Sequence, residues 1–200
     1  MLADLRILVG VDPEAALEQA RAVHADAARA GADELALTAQ VMLADAEQRL
    51  GQTFEAVARI HEIRAGRPDL SDEHHVQTAW TLVRAFDGLG DTATALDHAL
   101  DALPHLSDDV PPRLRAQFLI KMADVVGALG DLDGARERYA EAELLAAGDP
   151  PLHVRAVNNR AFGELVHGNT ALAVADAELM VALAAHYGTA LNSDELDTLA

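Results

Sequence analysis

Small apolar positions recur at a nearly constant interval along this 200-residue chain. A glycine followed five residues later by alanine recurs at five positions whose successive glycines are 38 to 41 residues apart. A small or apolar residue also stands seven residues before the last four glycines, and another stands twelve residues after all five. Self-similarity of this kind is the signature of a repeated two-helix unit. We therefore predict turns at Gly10, Gly51, Gly90, Gly130 and Gly168.

The residues around each glycine explain why a turn is expected there. Glycine readily adopts the left-handed conformation that ends a helix. A short polar residue follows at Asp91, Asp131 and Asn169, and it can start the next helix. The later alanine gives that helix a small face for close packing. The three serines of the chain each precede two acidic residues and are predicted to be N-caps: Ser71, Ser107 and Ser193.

Helices fill the intervals between these marks, and no stretch alternates apolar and polar residues long enough to be a strand. Pro68 is expected to stop the helix before it. The fold class is therefore predicted to be all-α. The predicted helices are 12–30, 32–50, 53–66, 72–89, 92–104, 111–129, 132–147, 151–167 and 170–187, with a further start at 193.

No Gly/Ser-rich linker divides the chain, so residues 1–200 are predicted to form one continuous array. Both ends look like partial repeats, and we expect either a fragment of a longer protein or ends that act as caps. The predicted parts are a half-repeat at 1–30, hairpins at 32–66, 72–104, 111–147 and 151–187, and the start of a further repeat at 193–200.

The pattern resembles the tetratricopeptide repeat (TPR), and Gly51, Ala56, Ile60, Ile63 and Pro68 fit its consensus. The resemblance implies a right-handed superhelical solenoid of antiparallel helical hairpins. The period is nearer 40 residues than the usual 34, and the consensus aromatics of the first helix are mostly absent. Longer-helix arrays of this type are similar to those of bacterial regulators, including transcriptional activators, signalling cyclases and peptide-responsive proteins.

The amino-acid composition argues against several classes of function. The formal net charge of −18 argues against binding a nucleic-acid backbone, which needs a basic surface. The absence of cysteine excludes disulfides, zinc–cysteine sites and a thiol nucleophile. We found neither an apolar run long enough for a membrane span nor a signal peptide, so a cytoplasmic protein is expected.

Catalytic motifs are also missing from the sequence. None of the serines lies in a nucleophile elbow, and no glycine-rich phosphate loop is present. The adjacent His74 and His75 would point about 100° apart on a helix and chelate one ion poorly, so both are predicted to be surface residues. We expect no enzyme activity, no cofactor and no metal.

The polar residues that vary from repeat to repeat say more about function than the repeated positions do. In TPR-like arrays the first helix of each hairpin lines a concave groove, and counting back from the turn glycines places Thr38, Val41 and Ile120 on that face. The same count gives the candidate binding residues Gln77, Trp80, Arg84, Gln117, Lys121, Asp124, Arg155, Asn158, Asn159 and Phe162.

These candidates include the only tryptophan and the only lysine of the chain. Arg84, Lys121 and Arg155 come from three successive hairpins and would line one stripe. Amide side chains lower helix propensity in mid-helix but can bind peptide backbone. The set therefore indicates a peptide groove similar to the carboxylate clamp of some TPR domains, and we expect it to take an acidic or carboxylate end. The alternative is that Trp80 and Phe162 belong to the core between repeats.

The sequence thus predicts a non-catalytic protein- or peptide-binding module. We expect it to be the sensory or scaffolding region of a bacterial regulatory protein, for example ahead of a cyclase or DNA-binding domain. The alternative is a self-association module that forms a homodimer.

Overall fold

The computed structural model describes residues 2–191 together with Glu195 and Thr198, and the regular structure of these residues is entirely helical. The helices divide into two compact units, Met1–Ser107 (unit 1) and Asp108–Ala200 (unit 2). Unit 1 contains α1 (Leu2–Val11), α2 (Pro13–Ala30), α3 (Asp33–Arg49), α4 (Thr53–Gly66), α5 (Asp72–Gly88), α6 (Thr92–Ala102) and a 3₁₀ turn (Leu103–His105). Unit 2 contains α7 (Pro112–Ala128), α8 (Leu132–Ala146), α9 (Pro150–Val166) and α10 (Thr170–Tyr187).

Each of the nine complete helices predicted from the sequence is present, with ends that differ by two residues at most. The all-α prediction is therefore confirmed. The predicted start at 193 lies outside the described residues. The prediction of one continuous array stays a prediction.

Packing within each unit follows the repeat. The two helices of a hairpin pack on each other, as α3 does on α4 and α7 on α8. The first helix of a hairpin also contacts the first helix of the next, in the pairs α1–α3, α3–α5 and α7–α9. The second helix contacts the following first helix, in the pairs α2–α3, α4–α5 and α8–α9. Within each unit, a hairpin is thereby covered on one side by the next hairpin of that unit, as in other repeat proteins.

Four of the predicted turns have the expected glycine conformation. Gly51, Gly90, Gly130 and Gly168 have φ between 77° and 92°. In every case the N–H of the following residue donates to the carbonyl five residues earlier, at 2.9–3.2 Å. This is the Schellman ending of a helix, which requires a left-handed residue at the glycine position. Two further left-handed glycines, Gly31 and Gly188, end α2 and α10 and were not predicted.

The predicted turn at Gly10 is wrong, because Gly10 lies inside α1. The chain turns two residues later, at Asp12, whose carboxylate accepts the N–H of Ala15 at 3.0 Å. Pro13 then opens α2, since proline is well suited to the first helical position. The buried positions shift accordingly by one residue, to Ala16 and Val23.

The serine caps are confirmed in one case out of three. Ser71 is the N-cap of α5 and accepts the N–H of His74. Ser107 is not a cap, because Pro111 and Pro112 delay the start of α7. Ser193 lies outside the described residues.

Small residues dominate the helix crossings, as the repeat predicted. Every core position seven residues before a confirmed turn glycine is buried: Ala44, Val83, Ala123 and Ala161. The alanines five residues after these glycines are buried as well: Ala56, Ala95, Ala135 and Ala173. In unit 1, side chains of α3, α4, α5 and the segment between α4 and α5 meet in one cluster of Leu37, Val41, Ala44, Ile60, Ile63, Leu70 and Leu82.

Candidate protein-binding site

In unit 1, three of the sequence candidates lie on α5. Arg84 donates to Asp45 of α3 at 2.8 Å, and its guanidinium carbon lies 5.6 Å from the centre of the Trp80 ring. Gln77 donates to Glu73 at 2.9 Å. Trp80 and Arg84 are both half-buried. Asp45 therefore already pairs with the Arg84 charge and would compete with a ligand carboxylate for it.

Three groove-facing assignments are wrong, because Thr38, Val41 and Ile120 are buried. The Thr38 hydroxyl donates to the Glu34 carbonyl at 2.9 Å, and His74 Nε2 lies 3.1 Å from the same hydroxyl. The contacts between successive first helices cover this part of the predicted groove face. A ligand cannot reach these side chains in the folded unit.

His74 is a structural residue, and the prediction that it lies on the surface is wrong. Because the Thr38 hydroxyl donates to Glu34, His74 Nε2–H donates to Thr38 in turn. The Ser71 hydroxyl lies 2.9 Å from the opposite ring nitrogen, Nδ1. Both ring nitrogens of His74 thus have polar partners between α3 and the start of α5, and the Glu34 carboxylate also lies 3.3 Å from Nδ1.

In unit 2, several of the other candidates lie around Asp124 of α7. The Tyr139 hydroxyl donates to Asp124 at 2.6 Å, Asn159 Nδ2 donates at 3.2 Å, and Lys121 Nζ lies 3.7 Å away. Burial and the neighbouring Asp124 charge raise the pKa of Tyr139, so the phenol stays a donor at neutral pH. Gln117 and Arg155 are half-buried on α7 and α9.

A cavity of about 560 Å³ opens beside this cluster, lined mainly by α7, α8 and α9. Four sequence candidates line it together: Asp124, Asn158, Asn159 and Phe162. Its walls are otherwise largely apolar. A concave, mostly apolar cavity with a few polar groups is the usual form of a ligand site. The apolar lining includes Ala123, Gly127, Leu132, Ala135, Leu165 and Val166.

Asn158 and Phe162 give this cavity its chemical character. They stand four residues apart on α9 and therefore share one face. Asn158 is only 7% exposed, yet no donor among the described residues reaches its Oδ1. The Phe162 ring is 56% exposed. A buried acceptor without a hydrogen bond lowers the stability of the fold by about 1–3 kcal/mol. The cavity therefore combines such an acceptor, Asn158 Oδ1, with the exposed aromatic ring of Phe162.

Charged residues in the cavity wall were missed by the sequence analysis. Arg136 of α8 binds both carboxylate oxygens of Glu164, at 2.5 and 2.9 Å, and Asn169 donates to Glu164 at 2.8 Å. The Arg136 hydrogen bonds hold the pKa of the buried Glu164 carboxyl below its usual range. The pair is mutually neutralised, so this wall carries little net charge. No sequence signal links the two residues, because they stand 28 positions apart on different helices.

Comparisons with known proteins give structural relatives only. Neither the protein-family models nor the curated protein sequences match this chain. Two crystal structures of a Podosopora anserina kinesin light chain-like protein with nearly identical TPR-like repeats match at TM-scores of 0.67 and 0.64. Both are 20% identical, cover 94% and 93% of this chain, and are themselves covered over 94% of their length.

BtubC (BKLC) from P. vanneervenii matches at a TM-score of 0.71 and 19% identity, over 94% of this chain and 80% of its own. At such low identity these similarities establish the architecture alone. The chain therefore has the fold of the TPR-like repeat proteins.

Proposed function

We propose that this chain is a non-catalytic protein- or peptide-binding module whose binding site is the cavity of unit 2. The TPR-like fold is generally a protein-interaction scaffold. The observation that carries the proposal is the buried, unmet Oδ1 of Asn158 beside the exposed Phe162 ring. We extend the proposal to the regulatory, cytoplasmic and bacterial context that the sequence pattern suggests.

The cavity favours a ligand of definite chemistry. An extended segment can lay an apolar side chain on Phe162 and, once the Asn158 side chain turns towards the cavity, give a backbone N–H to its Oδ1. Both contacts would supply free energy, since one satisfies a buried acceptor and the other removes apolar surface from water. Because the Arg136–Glu164 pair is neutralised, we expect the anchor side chain itself to be uncharged.

Two substitutions test the site. We expect Phe162→Ala and Asn158→Leu each to weaken binding of a selected peptide about tenfold or more, as for loss of an interface anchor. Asn158→Leu keeps a similar volume and removes the unmet acceptor, so it should not lower the stability of the fold. The measurement is fluorescence anisotropy with a labelled peptide selected from a random phage-displayed library, alongside urea denaturation of each variant.

Phe54→Ala is the matched control, because Phe54 is 76% exposed on α4 in unit 1 and lies outside the cavity. This variant should bind as the unchanged protein does. Equal binding by the unchanged protein and both cavity variants would show that the cavity is not the site. A library from which no peptide can be enriched would contradict peptide binding itself.

A self-association module is the second candidate function, and it rests on α10. Four apolar side chains of this helix are 39–51% exposed: Leu172, Val174, Leu179 and Val181. The carboxylates of this helix are Asp176 and Glu178, and Asp176 is paired with Arg160. A second copy could therefore approach α10 with less repulsion than the net charge of −18 implies.

The apolar character of α10 also has a second reading. The expectation that no apolar run is long enough for a membrane span is corrected here, because Thr170–Tyr187 is long and apolar enough, by length and composition alone, to cross a membrane. One such helix is weak evidence, because core helices of soluble proteins pass the same test. Its packing on α9 and the Arg160–Asp176 pair fit a hairpin helix of the repeat.

Sedimentation measurements test self-association through α10. If two copies meet there, Val174→Lys/Val181→Lys should shift a concentration-dependent dimer towards monomer, because each copy would bury two unpaired charges. Leu144→Lys is the control, since Leu144 is exposed on α8. A monomer at all concentrations of the unchanged protein would contradict this second function and leave the peptide-binding proposal intact.

A further inference from the structure

Four histidines of unit 1 gather where α4, α5, α6 and the 3₁₀ turn meet. The rings of His75 and His105 are stacked, with centroids 3.9 Å apart and planes within 5° of parallel. His98 lies 5.2 Å from the Phe86 ring and 6.5 Å from His61, again between ring centroids. We name these four residues the histidine cluster. Such close stacking suits neutral rings, because two imidazolium charges at this separation repel each other.

Arg64 places a permanent positive charge inside this cluster. Its Nε donates to the Thr78 hydroxyl at 3.1 Å, and its Nη1 donates to Asp101 at 3.3 Å. Its Nη2 is buried and finds no acceptor among the described residues. Asp101 is itself largely exposed to solvent. The arginine charge is therefore only partly compensated, and further positive charge beside it is unfavourable.

The charged groups around His75 and His98 act in the same direction. Burial, then His105 and Arg64, lower the pKa of His75, against smaller opposing effects of Asp101 and Asp72. Burial, then Arg64 and His61, lower the pKa of His98, against Asp101 and Asp97.

His105 differs from the other stacked ring because it has its own counter-ion. Its Nδ1 donates to Asp72 at 2.8 Å, and this hydrogen bond lowers the pKa of Asp72. A proton on His75 would lie against the stacked His105 ring and close to the Arg64 charge, and both neighbours lower the pKa of His75.

We propose that the junction of α4, α5 and α6 in unit 1 is an acid-sensitive joint, which packs around Arg64 when His75 and His98 are neutral and loosens when they take up protons. The direction follows from linkage. The pKa of a histidine is about 6.5 when it is exposed in the unfolded chain, and folding lowers it here. The stabilisation is therefore complete above that pH and is lost as the pH falls from it towards the lower folded-state value. The joint responds in the pH range near the histidine pKa, where few other side chains change charge. It is independent of the proposed peptide site, which lies in unit 2.

Hydrogen exchange measured by mass spectrometry on the whole chain tests the joint. After correction for intrinsic exchange rates, we expect amide protection in α5 and α6 to fall about tenfold or more between pH about 7.5 and about 5.5. Helices α7 and α8, which contain no histidine, serve as the internal reference and should change much less. His75→Gln/His98→Gln should remove most of this response, because the amides cannot be protonated in that range.

The control variant is His167→Gln/His186→Gln, which replaces two exposed histidines of unit 2 and should respond as the unchanged protein does. Equal protection of α5 and α6 at the two pH values would overturn the proposal, and so would a full response in the His75/His98 variant. If that variant does not fold, proton NMR of the histidine rings in the unchanged protein decides. His75 and His98 titrating below about 6.5 would support the joint, and ordinary titration of both would overturn it.

Discussion

Arg160→Leu is expected to lower the free energy of unfolding by about 3 kcal/mol, because it leaves two poorly solvated carboxylates without their positively charged partner. Arg160 of α9 donates through Nε and Nη2 to Asp176 of α10, at 2.8 and 2.7 Å, and through Nη1 to Glu143 of α8. The three side chains are each less than a fifth exposed. Burial raises the pKa of Glu143, Arg160 opposes this effect, and Asp176 adds to it. The substitution would remove the one contribution that favours the charged form.

Urea denaturation followed by circular dichroism at neutral pH measures this effect. Arg138→Leu is the matched control, since Arg138 pairs with Glu141 on the surface of a single helix and such pairs contribute less than about 1 kcal/mol. Adding Glu143→Leu to Arg160→Leu should restore part of the loss, because one stranded carboxylate is then gone. If Arg160→Leu and Arg138→Leu cost the same, the three-residue network does not join α8, α9 and α10 as its geometry implies.

The fold was predictable because its signals are local. A left-handed glycine, a polar residue after it and a small residue one turn later all act within one hairpin, and Gly51, Gly90, Gly130 and Gly168 satisfy this pattern. The rule failed at Gly10, where the Asp12–Pro13 pair starts the next helix and removes any need for a glycine there. Periodicity alone could not show which of two competing local signals sets the turn.

The candidate site was predictable only in part, because it depends on how far one helix covers another. Four of the residues named by counting from the turn glycines line one cavity: Asp124, Asn158, Asn159 and Phe162. The same count put Thr38 and Val41 on a groove that the contact of α3 with α5 covers. The amide at Asn158 was a useful signal, since a side chain unfavourable in mid-helix invites another explanation.

The charged networks could not be predicted from the sequence at all. Arg136 meets Glu164 and Arg160 meets Asp176 only after the rotation and separation of their helices are fixed by packing. A chain with 33 acidic and 15 basic residues offers many pairings of equal plausibility. The histidine cluster has the same origin, because its members come from three helices and a 3₁₀ turn that meet only in the folded unit.

Leu82→Ala is expected to cost about 3 kcal/mol, as deletion of a fully buried leucine side chain usually does. Leu82 of α5 is 0% exposed and packs in the cluster that α3, α4 and α5 build in unit 1. Its neighbour Ala44 is too small to fill the space left behind, so most of the cavity should remain. Because this position joins two successive hairpins, its truncation weakens the contact by which one repeat covers the next.

The single tryptophan makes this loss directly measurable. Trp80 lies on α5, two residues from Leu82, so its fluorescence in urea should report unfolding of this region. Leu89→Ala, which truncates a leucine that is 50% exposed at the end of the same helix, should cost less than about 1 kcal/mol. If the two alanine variants unfold at the same urea concentration, the α3–α4–α5 cluster is not a packed core. Unit 1 would then depend on its turns and hydrogen bonds rather than on contacts between repeats, which the burial of Leu82 argues against.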